Sequence, residues 1–156
     1  MRWLAIAIPV VTVCFLYAGA DRAGFVRAED REIKKADIKP VPVNMHDFME
    51  GVFQAPYKRL QAAMATEPKD GRAWKALRSD ALILAEGGNL LLTRLPEKDA
   101  EAWSKYSVDS RDAGAELIKH AKAKDFASTK KAYETMLNHC NACHKQFENG
   151  KHILKP

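Results

Sequence analysis

Cysteine is scarce in this chain, and its placement excludes a disulfide framework. The 156 residues contain only three cysteines. Cys14 belongs to an apolar run at the start of the sequence, whereas Cys140 and Cys143 are separated by just two residues. A disulfide between such close neighbours would close a minimal loop and would contribute little to stability. The Cys140–Cys143 pair therefore needs an explanation other than cross-linking of a domain.

Three further absences narrow the possible functions. The formal charge is +5, but there is no dense Lys/Arg block and no interleaving of basic and aromatic residues, so nucleic acid is not an expected partner. Sustained period-two alternation of β-branched residues is missing, which argues against strands. No nucleophile–base pair or carboxylate cluster stands out beside the cysteines, so the sequence does not predict an enzyme.

The first twenty residues predict export from the cytoplasm. Arg2 is followed by the uncharged run Trp3–Tyr17 and by the small residues Ala18-Gly19-Ala20, a pattern that signal peptidase accepts. The alternative is an uncleaved anchor, because residues 3–20 approach the minimum length that spans a bilayer. Both interpretations place the folded part in the periplasm, either free or tethered to the membrane through residues 3–20.

The rest of the chain predicts a linker and four helices. Residues 21–43 are charged, lack periodicity and contain Pro40 and Pro42, as is typical of a linker. From Asn44 onward the apolar residues recur at helical spacing. The four predicted helices cover about 44–65, 71–92, 96–124 and 125–148. Asn44 and Asp125 are good helix caps, and Pro96 suits a first helical position.

The expected fold class is all-α, with an antiparallel up-and-down four-helix bundle formed by residues 44–156. Short links force neighbouring helices to be antiparallel, and each apolar stripe must be buried against the others. Pro56 removes a backbone donor, which predicts a kink or break near Val52. Gly87-Gly88 weakens the second helix, a cost that is explained if something bulky packs closely there.

The segment Cys140-Asn141-Ala142-Cys143-His144 carries the expected chemistry. C-x-x-C-H is the attachment signature of c-type haem, and positions i, i+3 and i+4 of a helix share one face. A thioredoxin-like motif would follow a strand and begin a helix, and here the motif lies late in a long helix. Structural zinc would require a second ligand pair at matching spacing. A bare pair of buried cysteines would not explain the adjacent histidine.

With this motif on the last of four helices and Phe147 shortly after it, the sequence resembles the class II c-type cytochromes. This family comprises the cytochromes c-prime and their low-spin relatives. The resemblance covers residues 44 to about 148 and implies one haem c held through two thioethers by Cys140 and Cys143. It also implies that His144 is the proximal iron ligand and that Phe147 packs near the haem. Family members often carry an arginine directly after that phenylalanine, where this chain has Glu148; Lys145 or Lys151 would have to replace its charge.

The resemblance leaves open which residue occupies the face of the iron opposite His144. In the family, the first helix covers that face with either an apolar residue or a methionine. Met49 is the candidate distal ligand, Met45 is the runner-up one turn earlier, and His46 points about 100° away from Met45 on an ideal helix. A methionine on an apolar stripe can equally be core filler.

The remaining histidines are expected on the surface: His120, His139 and His152. Four large aromatic residues are expected to anchor the core, and one or two of them are expected to pack at the haem edge: Trp74, Trp103, Tyr106 and Tyr133.

The leading functional interpretation is an exported monohaem cytochrome that transfers single electrons with histidine and methionine as iron ligands. One alternative is a five-coordinate, c-prime-like protein that binds NO or CO. A second is a haem subunit of a larger membrane redox complex. The expected partners are redox proteins and the haem-attachment machinery, and the resemblance adds a possible homodimer.

Overall fold

Four helices that pack against each other make up the part of the chain that the structure describes. The structure is a computed structural model and describes residues 38–156, a range that contains helices and turns and no strand. The predicted export segment, residues 1–20, and residues 21–37 of the predicted linker lie outside the described residues. Within 38–156, no helix combines the length and the apolar character needed to cross a bilayer.

The helix bounds agree closely with the sequence prediction. Helix α1 consists of an α-helical turn, Met45–Phe48, a π-helical segment, Met49–Gln54, and a further α-helical stretch, Ala55–Ala63. Helices α2, α3 and α4 are Gly71–Leu92, Ala100–Ala123 and Phe126–Phe147. The predicted start of the third helix at Pro96 was wrong. Asp99 has a left-handed backbone with φ 58°, and this conformation prevents the helix from extending toward Pro96.

Side-chain caps define the first residues of three helices. Asn44 accepts a hydrogen bond from the Asp47 amide at 2.8 Å, and Asp125 accepts one from the Ser128 amide at 3.0 Å. The sequence predicted both of these caps. Hydrogen bonds from the side chain and then the backbone of Ser128 lower the pKa of the Asp125 carboxyl. Asp70 caps α2 in the same way, through the Ala73 amide at 2.8 Å, and each cap satisfies a donor that the helix start leaves unpaired.

Pro56 changes the winding of α1 without breaking the helix. An α-helix would need an N–H at residue 56 to bond to the Val52 carbonyl, and proline has none. The chain responds by adopting a π-helical segment over Met49–Gln54, directly before the proline. The predicted disturbance near Val52 is therefore present as a wider turn, and the helix continues to Ala63. Such π-turns within α-helices are frequent at functional sites.

All four helices contribute to one main hydrophobic cluster, and backbone contacts follow chain order. Contacting pairs are α1 with α2, α2 with α3, and α3 with α4, whereas the backbones of α1 and α4 do not approach each other. Arg59 on α1 and Asp80 on α2 reinforce the first pair, with Nε 3.0 Å from each carboxylate oxygen. The buried members of the main cluster are Leu60, Met64, Trp74, Leu77, Ala81, Leu84, Leu117, Ala121, Tyr133, Met136 and Leu137.

Close packing explains the two adjacent glycines of α2. A Cβ on Gly87 would come within 2.5 Å of the Phe53 ring of α1, and one on Gly88 would lie 2.7 Å from the Ser107 carbonyl oxygen of α3. The prediction that something bulky packs against this pair is confirmed. Glycine lowers the intrinsic stability of helix α2 at these positions, but the missing side chains allow α1 and α3 to approach it closely.

Candidate functional site

A cavity of about 500 Å³ lies between residues of α1, α3 and α4. Most of the surface that lines it is apolar, although eleven of the 23 lining residues are polar or charged. The volume falls within the range of about 300–1,000 Å³ that is usual for small-molecule and cofactor sites. Every residue that the sequence analysis assigned to haem attachment or ligation lines this cavity: Met45, His46, Met49, Cys140, Cys143, His144 and Phe147.

The two cysteines of the motif line the cavity as free thiols. Cys143 is buried and Cys140 half-buried, and both lie on the side of α4 that faces the interior. The Ser110 hydroxyl of α3 is 3.3 Å from the Cys140 sulfur. Helical spacing therefore brings both sulfurs to one cavity without joining them in a disulfide, as the positions i and i+3 predict.

Burial makes both thiols hard to ionise. Desolvation raises the pKa of Cys143 to about 12, with smaller contributions from the neighbouring Cys140 and Glu148. Desolvation also raises the pKa of Cys140, although the contact with Ser110 partly opposes this. A thiol-exchange centre needs a lowered thiol pKa, because the thiolate is the nucleophile. The environment of this pair is the opposite of the one that such a centre requires.

His144 is held by the backbone of a later residue. Its Nδ1 lies 2.6 Å from the His152 carbonyl oxygen. Because a carbonyl only accepts, Nδ1 carries a proton, and in the neutral ring Nε2 is then left with a free lone pair. Histidines that ligate metals almost always donate the other ring N–H to a carboxylate, carbonyl or water. The ring is thus in the tautomer that an Nε2 ligand needs.

The methionine candidates come from the start of α1. Met45 and Met49 are half-buried, line the cavity and pack against the smaller hydrophobic cluster formed by Phe48, Leu91, Trp103 and Cys143. Met49 is the first residue of the π-helical segment. The side chain of His46 is 68% exposed and lies 3.7 Å from Glu50. It therefore borders the cavity from the solvent side.

Aromatic side chains form one wall of the cavity. Trp103 on α3 and Phe147 on α4 pack edge to face with ring centroids 5.0 Å apart, and Trp103 donates to the Leu91 carbonyl at 2.9 Å. Tyr106 also lines the cavity and donates to Gln146 at 3.1 Å. Of the four predicted core anchors, Trp103 and Tyr106 reach the cavity, and Trp74 and Tyr133 lie in the main cluster.

The charged residues near the motif are only partly those that the sequence suggested. Glu148 and Lys151 both line the cavity, and Lys145 is not part of its lining. Lys58 on α1 adds a second positive charge that sequence reasoning missed. His139 and His152 both line the cavity; His152 is exposed, as expected, whereas the His139 side chain is only 34% exposed.

Apart from Lys151, the residues that follow α4 were not predicted to belong to the site. Lys151, His152, Ile153 and Leu154 line the cavity. Their sequence is short and aperiodic, so it carries no signal for such a role. The side chain of Asn141, inside the motif, donates to the Leu154 carbonyl at 2.9 Å and accepts from the Leu154 amide at 2.7 Å.

No known family model matches the sequence, and the search of curated proteins found no match either. Within residues 38–156, no group of three or more His, Cys, Asp or Glu side chains is arranged to hold a bare metal ion.

Proposed function

We propose that this protein is a c-type cytochrome with one covalently attached haem, which transfers single electrons and has no enzymatic activity of its own. One observation carries the proposal. A C-x-x-C-H turn on α4 and two methionines on α1 line the same cavity, and the backbones of these two helices are not in contact. The space between the helices is where a large planar group would be held.

The residues present fit such a group. The volume is adequate, most of the lining is apolar, and the thiols of Cys140 and Cys143 are free to form thioethers. The hydrogen bond from Nδ1 leaves Nε2 of His144 available as an iron ligand. The predicted interior stripe is half-buried where it meets the cavity, at Met45, Met49, Phe53, Cys140, His144 and Phe147. A bound apolar group would complete the burial of these side chains.

Each residue has a defined role in this proposal. Cys140 and Cys143 would hold the haem through thioethers, and His144 and Met49 would be the two iron ligands. Bound haem supplies the one-electron couple, and a methionine–histidine pair of ligands favours a high reduction potential. Trp103 and Phe147 keep water from that side of the cavity, and the positive charges of Lys58 and Lys151 can pair with the carboxylates of a haem.

The finer description of the fold belongs to the same proposal. The connections 64–70, 93–99 and 124–125 are short, which supports an antiparallel up-and-down arrangement of the four helices. That arrangement, with the motif on the last helix, supports the resemblance to the class II c-type cytochromes. Export to the periplasm rests on residues 1–20, and sequencing the N-terminus of the mature protein tests whether the chain starts at Asp21.

The decisive experiment is expression of the full chain in cells that mature c-type cytochromes. We expect the purified protein to weigh one haem more than its polypeptide and to show a Soret band that persists after denaturation and acid extraction. Cys140→Ser/Cys143→Ser is the matched variant and should lose both signals. A wild-type mass equal to that of the polypeptide alone would refute the proposal.

The spectrum then separates electron transfer from gas binding. We expect a low-spin spectrum with the weak methionine-to-iron band near its red edge, and little change when carbon monoxide is added. A high-spin spectrum that shifts readily with carbon monoxide would instead identify a gas-binding protein.

A further inference from the structure

The segment after α4 reverses direction and returns across the cavity. Asn149 and Gly150 have left-handed backbones, with φ of 52° and 71°, a conformation that asparagine and glycine tolerate best. The Gly150 amide donates to the His144 carbonyl at 3.0 Å, which closes the turn against the end of the helix. We name residues 149–155 the strap.

Side chains from two helices hold the strap in place. On α4, the Asn141 amide donates to the Leu154 carbonyl and accepts from the Leu154 amide. On α1, the Tyr57 hydroxyl donates to the Lys155 carbonyl at 2.9 Å and accepts from the Lys155 amide at 3.1 Å, and Gln61 also donates to that carbonyl. The strap therefore links α1 to α4, whose backbones make no contact of their own.

This anchoring fixes the position of a single backbone oxygen. The His152 carbonyl lies between the Asn149-Gly150 turn and the paired residue Leu154, so the ends of the strap determine where it is. It is 2.6 Å from Nδ1 of His144, a short hydrogen bond. The strap thus controls both the tautomer and the orientation of the imidazole.

We propose that the strap is the positioning element of the haem ligand His144, and that Asn141 is the residue that holds it in register. The inference rests on the proposed function. A carbonyl that accepts from Nδ1–H makes the imidazole a stronger donor at Nε2. A stronger donor stabilises oxidised iron more than reduced iron, so the strap lowers the reduction potential.

The test compares three holoprotein variants with the wild type. Asn141→Ala leaves the chain entire and removes both bonds to Leu154. A stop codon after Lys151 removes the acceptor itself, His152. Asn138→Ala is the matched control, because Asn138 is an exposed residue one turn earlier on the same helix. Mass and Soret absorbance first establish that each variant retains covalent haem.

Two measurements then report on the ligand itself. We expect Asn141→Ala and the truncated chain to have a more positive midpoint potential than the wild type. We also expect hydrogen exchange at Nδ1 of His144, followed by NMR of the reduced protein, to accelerate about tenfold, as the loss of one net hydrogen bond would produce. Asn138→Ala should match the wild type in both.

The outcomes separate this inference from the proposed function. Unchanged potential and exchange in haem-loaded Asn141→Ala and in the haem-loaded truncated chain would overturn the role of the strap and leave the cytochrome assignment standing. A wild-type chain without haem would overturn both. If the truncated chain does not fold, Asn141→Ala still decides the question.

Discussion

At the residue scale, the proposed function depends on which side chain would be the distal ligand of the haem iron. Met45 and Met49 line the same cavity as His144, and both are half-buried. Met49 begins the π-helical segment, whose wider turn alters how the side chains of this part of α1 project. A flexible thioether adapts to such a position without further rearrangement of the backbone.

We predict that Met49→Ala converts the haem from low spin to high spin, because alanine offers no sixth ligand. The methionine-to-iron band should disappear from the absorption spectrum of the oxidised protein, and carbon monoxide should bind readily to the reduced form. Met45→Ala is the matched control and should keep the low-spin spectrum. Loss of the low-spin spectrum in Met45→Ala alone would assign the ligand to Met45, and no change in either variant would leave both assignments wrong.

How much of the site the sequence could predict depends on what each group contributes. The sequence indicated that Cys140, Cys143 and His144 would face one site, because their spacing places them on one face of a helix, and all three line the cavity. The role of the His152 carbonyl oxygen could not be predicted, because every residue has the same backbone carbonyl. Lys58 and Ile153 reach the cavity only through the way separate segments meet, and periodicity within one helix holds no information about that.

At the element scale, the glycines of α2 determine how closely its neighbours approach. Gly88 faces the backbone of α3, where the oxygen of Ser107 is fixed within the helix and cannot move aside cheaply. Gly114 of α3 makes the reciprocal contact, since a Cβ there would lie 2.8 Å from the Cβ of Ala85. The α2–α3 interface therefore depends on small residues on both helices.

Gly88→Ala should lower the free energy of unfolding by about 1–3 kcal/mol, the usual cost of forcing an extra methyl group into a packed interface. Gly51→Ala is the matched control, because nothing lies within 4 Å of its added Cβ. That variant should gain about 0.5–1 kcal/mol, as alanine does over glycine within helices. Urea denaturation of the holoproteins measures both changes. Equal or greater stability of Gly88→Ala would contradict the packing argument.

The boundaries of the elements show where local sequence signals suffice. Asn44 and Asp125 marked helix starts correctly, because a cap needs only its own side chain and the amides just after it. Pro96 was misleading, because the helix start was set by the backbone of Asp99, whose left-handed conformation no propensity rule predicts. The sequence could not predict how the helix would accommodate Pro56, since a proline inside a helix permits either a break or a π-helical segment.

At the scale of the whole molecule, the interior is divided into two regions of different completeness. The main hydrophobic cluster is contributed by all four helices, and its members are buried. The smaller cluster, built on Phe48, Leu91, Trp103 and Cys143, adjoins the cavity, and the apolar side chains packed against it remain partly exposed. The first region can be stable from the polypeptide alone. The second borders the cavity in which we propose that haem is held.

The last prediction follows from this division. Without haem, Cys140→Ser/Cys143→Ser should lose structure first in the first half of α1 and in the half of α4 that carries the motif, because these two segments line the cavity. Helix α2 should keep more protection, since of its residues only Leu91 lines the cavity. Hydrogen exchange followed by mass spectrometry of peptides from 45–63, 71–92 and 138–147 measures this directly.

Met49→Ala is the control for that experiment, because it keeps the covalent haem and therefore a filled cavity. It should retain protection over 138–147, and the double-serine variant should exchange there many times faster. Urea unfolding should also become less cooperative in the double-serine variant, with a smaller dependence of free energy on denaturant, since less surface remains to be exposed. Native protection in 45–63 and native cooperativity without haem would mean that the polypeptide alone closes the space between α1 and α4. That outcome would contradict the view that α1 and α4 lie apart because haem fills the space between them.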